Sequence, residues 1–460
     1  MVATYTQFLA RKSQVSGNSG FEPTWMPDWL FPFQSHMTTW AIRKGRACLI
    51  EDCGLGKTVQ ELVYAENVIR HTNGRALILT PLAVAPQTVR EADKFGIDAK
   101  LSRNGKPASN ITVANYESLH KFDEADFACV IGDEISCAKA FDGKRRKQIT
   151  RFMSKMKYRL GGTATAAPND FIELGTISEA LGELSQSDML GTFFRASDNK
   201  RHSLFKEGDF WNRAKYFFRA HSEVPFWRWV CSWAKAIRSP SDLGPEYADA
   251  RYVLPEMRVT QHVVPTRFRF PGELFIRIAT TLKEQREERK RSMTERCEMA
   301  AKLVDHDEPA IVWCQYNEEG DRLAEMIPGA VQVAGCNSDE EKAERLNGFA
   351  TGEFRVLVTK PKIGAWGMNY QHCGHQTFFP SHSFEQWYQC IHRSLRFGRT
   401  GPVRIDVVAT EGEEGVTANL QGKQAKADKM FEQLIAEMHQ GQAMEIINTH
   451  TREMDVPRWL

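Results

Sequence analysis

Glu51-Asp52-Cys53-Gly54-Leu55-Gly56-Lys57-Thr58 decides the reading of this chain. The apolar run Ala47-Cys48-Leu49-Ile50 ahead of it reads as a buried strand, and Val59, Leu62, Val63, Ala65 and Val68 behind it read as a helix. A strand, a glycine turn and Gly-Lys-Thr at a helix start make a phosphate-binding loop. The glycines let backbone N–H groups turn inward around an anion, and the helix N-terminus adds partial positive charge. The spacing is that of a shorter variant, D-x-G-x-G-K-T, because Glu51 sits where the first glycine of the strict pattern would be. The loop thus offers Asp52, Cys53, Gly54, Leu55, Gly56, Lys57 and Thr58 to a nucleotide. Lys57 reaches the β- and γ-phosphates, and the Thr58 hydroxyl holds Mg²⁺.

Outward from the loop, four more strands alternate with helical stretches. They are Arg75–Thr80 stopped by Pro81, Ile111–Tyr116, Phe127–Ile131 running into Gly132-Asp133-Glu134, and Tyr158–Leu160 running into Gly161-Gly162-Thr163-Ala164-Thr165. Such alternation implies a parallel sheet wrapped by helices, with ligands at the carboxyl ends of its strands. The phosphate loop, Asp133-Glu134 and Thr163–Thr165 all fall at those ends. Upstream, Trp25, Trp29, Leu30, Phe31 and Phe33 form an aromatic cluster that reads as core, followed by Gln34 and a helix to Lys44.

Residues 193–233 change character, with Phe193, Phe194, Phe226, Trp227, Trp229 and Trp233 among Arg195, Lys200, Arg213, Arg219 and Arg228. Aromatics among basic residues can stack bases and hold phosphates. The plainer reading is a helical insertion with its own aromatic core and a solvated basic face, favoured for the aromatics and even for the basic residues. Residues 280–304 carry a dense charge mix, highest over Lys283–Arg291, and read as an exposed helix that links two halves. A second alternating series then offers strands at 310–314, 330–333, 355–359, 376–379 and 403–408, and 415–445 reads as a polar helix. The fold expected is α/β, with two tandem RecA-like parallel-sheet domains and a helical aromatic and basic insertion between them. The divisions are 1–190 for the first domain, 191–235 for the insertion, 236–304 for a return to the first domain and a linker helix, 305–412 for the second domain and 413–460 for a helical extension.

Composition sets bounds. The net charge is only +2, from 60 basic and 58 acidic residues, so any nucleic-acid surface must be local rather than a global basic field. Ten cysteines without a C-x-x-C pair read as reduced thiols of a cytoplasmic protein. No run approaches the roughly eighteen apolar residues of a membrane span, so no membrane partner is expected. His372-Cys373-Gly374-His375 has no second ligand pair nearby and reads as structural rather than metal-binding.

Two further stretches carry chemistry. At the end of an apolar strand, Asp133 is placed for the Mg²⁺ that Thr58 holds, and Glu134 for orienting or deprotonating the attacking water. On a helix, Gln389, Arg393 and Arg396 share one face at i, i+4 and i+7, and could meet a triphosphate across a cleft.

In this order the stretches resemble the motifs of helicase superfamily two. The resemblance is nearer to Swi/Snf-type DNA translocases, and especially to their compact bacteriophage versions. Phe33-Gln34 is similar to the adenine-reading glutamine motif, Asp52–Thr58 to motif I, Thr80-Pro81 to motif Ia and Asn115-Tyr116-Glu117 to motif Ib. Asp133-Glu134-Ile135-Ser136 resembles motif II, Gly162–Thr165 motif III with its coupling residues Thr163 and Thr165, and Val312–Gln315 motif IV. Lys362–Asn369, with Gly367 at the nucleotide, resembles motif V, and Gln389–Arg399 motif VI. Motif II reads Asp-Glu-Ile-Ser, so Ser136 cannot supply the imidazole that links hydrolysis to motif III in relatives. Trp366, His392 and Arg399 also depart from the pattern.

The resemblance implies a monomeric ATP- and Mg²⁺-dependent DNA motor, with Lys57, Asp133, Glu134, Arg393 and Arg396 catalytic. Its track would be double-stranded DNA, with single-stranded DNA open. The strand would be held by Thr80, Pro81, Asn115, Tyr116, Gln315 and Lys360. The setting would be phage replication or recombination in a bacterial cytoplasm, alongside the proteins of that process. The near-neutral charge equally allows an ATP-dependent switch or assembly module acting on a protein partner. A nuclease-coupled motor is weaker, since no spare carboxylate–lysine cluster supports it.

Overall fold

A computed structural model describes residues 17–450, apart from 83, 137–142, 168–169, 197–215, 266–281, 366–367 and 382. Two sheets carry the chain. The first has the order β3-β4-β2-β5-β6-β1-β9, built from β1 (Arg46–Glu51), β2 (Ala76–Thr80), β3 (Ala99–Leu101), β4 (Ile111–Asn115), β5 (Cys129–Asp133), β6 (Tyr158–Thr163) and β9 (Ala234–Ile237). The second has the order β10-β15-β14-β11-β13-β12, built from β10 (Met257–Val264), β11 (Ala310–Trp313), β12 (Ala330–Val333), β13 (Val356–Thr359), β14 (His375–Phe378) and β15 (Val403–Thr410). Neighbouring strands in both sheets pair parallel. This is the α/β architecture of two tandem parallel-sheet domains. Each sheet is covered by apolar clusters on both faces, which is why its central strands appear in the sequence as unbroken apolar runs. No helix among the described residues is long and apolar enough to cross a membrane.

Three elements differ from the sequence reading. The insertion is helical but also carries a short antiparallel ribbon, β7 (Phe194–Ala196) with β8 (Tyr216–Phe218). Phe193, Phe194, Phe226, Trp227, Trp229 and Trp233 are all buried in one cluster with Met430, Phe431 and Leu434. These aromatics form a core and leave no face for stacking bases. Lys200, Lys206 and Arg213 lie outside the described residues, while Arg228 pairs with Glu437 at 3.1 Å.

The stretch 236–304 is not only a return to the first domain. β10 is an edge strand of the second sheet, in register with β15 from Met257↔Val403 to Val264↔Thr410. Five of its first six side chains are exposed, so it lacks the apolar run that marks central strands. The charged linker is two helices, Leu282–Arg291 and Met293–Leu303, and the second is a core element. Its Arg296 is 1 % exposed and donates to Glu319 at 2.7 Å, and Cys297 and Ala300 join the core under the second sheet.

The C-terminal helix, Glu414–His450, leaves β15 and packs on the first domain and its insertion. Arg238 with Asp428 and Lys429 with Glu223 fasten it there. In the His372–His375 stretch, His375 donates to Asp406 through Nε2 at 2.7 Å and meets His306 through Nδ1, and the Cys373 thiol donates to the His375 carbonyl, while His372 Nε2 is buried with no partner.

Removing one member of a buried ion pair strands the other's charge, at a cost of about 3–5 kcal/mol. Glu319→Ala should therefore lower unfolding free energy by about that amount, read by urea denaturation. A loss below about 1 kcal/mol would mean that Arg296 reaches water.

Candidate nucleotide site between the two sheets

The phosphate loop leaves β1 and enters the helix Lys57–Thr72 through Gly56, which has φ 82°. A side chain there would be strained and would also meet the Gln34 amide, since a Cβ would lie 2.4 Å from Nε2. Gln34 is buried and donates to the Leu55 carbonyl at 2.9 Å, so it fastens the loop from outside. Its own Oε1 accepts from the Phe31 N–H at 3.1 Å. Gly54, with φ 94°, marks a close approach of the other domain: a Cβ would lie 3.1 Å from the Phe397 amide nitrogen.

At the end of β5, Asp133 and Glu134 stand beside the loop because β5, β6 and β1 are consecutive in the sheet. Glu134 has φ 48°, a left-handed conformation that costs a non-glycine residue about 1–3 kcal/mol and persists only where the surroundings hold it. They do. Thr163 Oγ1 lies 3.2 Å from Glu134 Oε2, and Gln389 Nε2 donates to Oε1 at 3.3 Å. Tyr116 donates its hydroxyl to the Asp133 carbonyl at 2.9 Å.

The second domain reaches this site through one helix, Phe384–Ile391, and the turn after it. Glu385, Tyr388, Gln389 and His392 share its inner face. Glu385 accepts from Ser136 at 3.2 Å, and Tyr388 donates to the Asp52 carboxylate. His392 lies 4.0 Å from the same carboxylate. Gln389 also holds Arg393, whose Nε donates to its carbonyl at 3.1 Å. Arg396 donates to Asn369.

Cys53, Gly54, Gly56, Lys57, Thr58, Asp133 and Glu134 from the first domain, with Arg393 and Arg396 from the second, line one open cavity. Two polar atoms at its wall, Arg396 Nε and Gln87 Oε1, are buried with no partner. A polyphosphate with a divalent cation fits this donor set: cations and inward N–H groups face the anion, and Thr58 with Asp133 offers hard oxygens to the metal.

Burial, and after it the neighbouring Glu134, raises the Asp133 carboxyl to about 7. Burial likewise raises Glu51 to about 7 and Glu61 well above the usual carboxylate range. Burial alone would depress the Lys57 ammonium, yet Cys53 and the carboxyls of Glu134, Glu51 and Asp133 together hold it above an ordinary lysine. Its Nζ donates to the Glu51 carbonyl at 2.7 Å.

Other expected residues are placed variously. Asp52 and Leu55 lie in the loop but do not line the cavity, and Gly367 lies outside the described residues. Thr163 Oγ1 accepts from the Thr165 N–H at 3.1 Å. Thr80 and Asn115 end β2 and β4, and Pro81, Gln315 and Lys360 lie just after the ends of β2, β11 and β13, on the cavity's side of the sheets. Thr80 is buried and donates to the Pro81 carbonyl, Asn115 caps the turn after β4, Gln315 donates to Phe379, and Lys360 meets Asn317. Tyr116 is buried and works as a support for Asp133.

Sequence reading missed Val84 and Gln87 in the wall and Glu385 and Tyr388 at the junction. The two junction residues had a legible signal, because Glu385 falls four residues before Gln389 and Tyr388 four before His392, on the same helical face. Gln87 had none.

No protein-family model matches the chain, and no curated protein matches it. Among solved structures it is similar to a Sulfolobus solfataricus SWI2/SNF2 ATPase core in complex with dsDNA, with 17% identity over 90% of this chain and 96% of that one and a TM-score of 0.41.

Since a cation at Asp133 competes with a proton held to about pH 7, acidification should weaken it. Mg²⁺ affinity in the presence of a fluorescent ATP analogue should fall between pH 8 and 6, approaching about tenfold per unit below 7. An affinity flat across that range would remove Asp133 from the metal site.

Proposed function

We propose that the chain is an ATP-driven DNA motor that hydrolyses ATP in the cleft between its two parallel-sheet domains. One observation carries the reading. A phosphate loop and a carboxylate pair from one domain share a cavity with two arginines from the other. A site split in this way is complete only when the domains are together, so nucleotide binding and domain spacing are linked.

Lys57 and the loop N–H groups bind and orient the triphosphate. Mg²⁺, when bound, neutralises phosphate charge, and Thr58 and Asp133 would hold it. Glu134 orients the attacking water and takes its proton as the new oxygen–phosphorus bond forms and the bond to the leaving diphosphate breaks. Arg393 and Arg396 stabilise the charge on the transferring group, where planar and permanently charged guanidiniums are effective. Loss of the γ-phosphate removes the anion that both domains share, and the cleft opens.

Alternating closure becomes stepping if each domain holds the same track. Residues after the strand ends, among them Pro81, Asn115, Gln315 and Lys360, are the proposed backbone contacts. Such contacts are blind to sequence and weaken with salt. Duplex DNA is the proposed track.

ATP turnover should rise on adding duplex DNA, more than with single-stranded DNA or RNA, and the rise should shrink between about 50 and 200 mM salt. Turnover indifferent to every polymer would point to a protein partner instead. Lys57→Ala should abolish hydrolysis. Arg393→Ala with Arg396→Ala should keep nucleotide binding and lose about 10³-fold or more in rate, the scale of a supplied arginine. Normal turnover in Lys57→Ala would refute the site.

A further inference from the structure

Ser136 stands where it cannot act as an imidazole link, yet it is not idle. The residue is 2 % exposed, and its hydroxyl joins a chain of side chains that crosses the domain boundary. Glu134 Oε2 lies 3.2 Å from Thr163 Oγ1, Thr163 Oγ1 lies 3.1 Å from Ser136 Oγ, and Ser136 Oγ lies 3.2 Å from Glu385 Oε1. The first three residues belong to the first domain and Glu385 to the second.

Hydrogen counting gives this chain two states. Thr163 has one hydroxyl hydrogen and two acceptors within reach, Glu134 and Ser136. The Thr165 N–H already donates to Thr163 Oγ1, which anchors that oxygen. With Glu385 in place, the Ser136 hydrogen goes to its carboxylate, a charged and therefore stronger acceptor. Ser136 then presents lone pairs to Thr163, so the Thr163 hydrogen has a second acceptor and its hold on Glu134 Oε2 is weakened. With Glu385 withdrawn, the nearest acceptor for the Ser136 hydrogen is Thr163 Oγ1. With no second acceptor, the Thr163 hydrogen is directed fully onto Glu134 Oε2 and makes that oxygen a weaker acceptor for the proton of the attacking water.

We propose that Ser136 and Glu385 form a hydroxyl switch, through which arrival of the second domain frees Glu134 Oε2 for the attacking water. Both are positioning residues, acting through Thr163. The inference rests on the hydrolytic reading above and adds a reason why an open cleft does not turn over. The interlock is local: Gln389 holds the other Glu134 oxygen from the same helix face, so both contacts form or break with the same movement.

The test is steady-state ATP turnover of the full chain with saturating duplex DNA, alongside binding of a fluorescent ATP analogue. Glu385→Ala and Ser136→Ala should each lower kcat about tenfold, the effect of one hydrogen bond in a transition state, with KM and analogue affinity within about twofold of the parent. The double variant should be no slower than either single, because one switch is broken once. Glu385→Gln keeps an acceptor oxygen and should retain about half the parent rate or more. Full kcat in Glu385→Ala, or losses that multiply in the double variant, would overturn the switch. Either result alongside a dead Lys57→Ala would leave the hydrolytic reading standing. A parent chain without ATP turnover would overturn both.

Discussion

A lysine ammonium set among buried carboxyls is the constraint on which the rest of this structure depends. A charge in that position is costly unless it is compensated. Here the compensation is collected from Glu51 at the end of β1 and Asp133-Glu134 at the end of β5, with Cys53 of the loop beside them. These come together only if β5, β6 and β1 lie in that order, and they do. A polyphosphate would take over the role of the acids, so the site is poised to exchange internal compensation for a ligand.

The second constraint is the boundary between the domains. It is polar at the cavity and apolar beside it. Glu385, Tyr388 and Gln389 reach across to Ser136, Asp52 and Glu134, while Phe384 and Tyr388 pack with Ala164, Leu420 and Ala427. Hydrogen bonds of this kind can be exchanged for others at low net cost, whereas the apolar seam gives a non-directional attraction that tolerates sliding. The long C-terminal helix contributes to the seam and then continues onto the insertion, linking the two domains away from the chemistry.

Much of the fold was legible because parallel strands buried on both faces must be apolar throughout. β1, β2, β5, β11 and β13 announced themselves in this way. β9 and β10 did not. β9 carries the buried Lys235, whose ammonium meets His36, and β10 is an exposed edge. The second helix of the charged stretch was misjudged for a related reason: composition marks Arg296 as solvated, but a facing Glu319 makes its burial tolerable. The insertion's aromatics were ambiguous in the sequence, and packing against Met430, Phe431 and Leu434 decided for a core.

By itself, the sequence determined the elements and the chemistry at their ends. Glycines at 54 and 56, Lys57, Thr58 and the acidic pair after an apolar strand have few structural solutions, because backbone anion cradles and buried acids each require specific surroundings. The tertiary structure decided which of these groups meet. Gln87 in the cavity wall, Tyr388 on Asp52 and Glu385 on Ser136 are contacts between residues remote in the chain, and only the packing of helices on two sheets fixes such distances. A side chain's identity sets what it can donate or accept, but its partner is set by the fold, because a hydrogen bond acts over about 3 Å and local sequence patterns do not encode separation across a domain boundary.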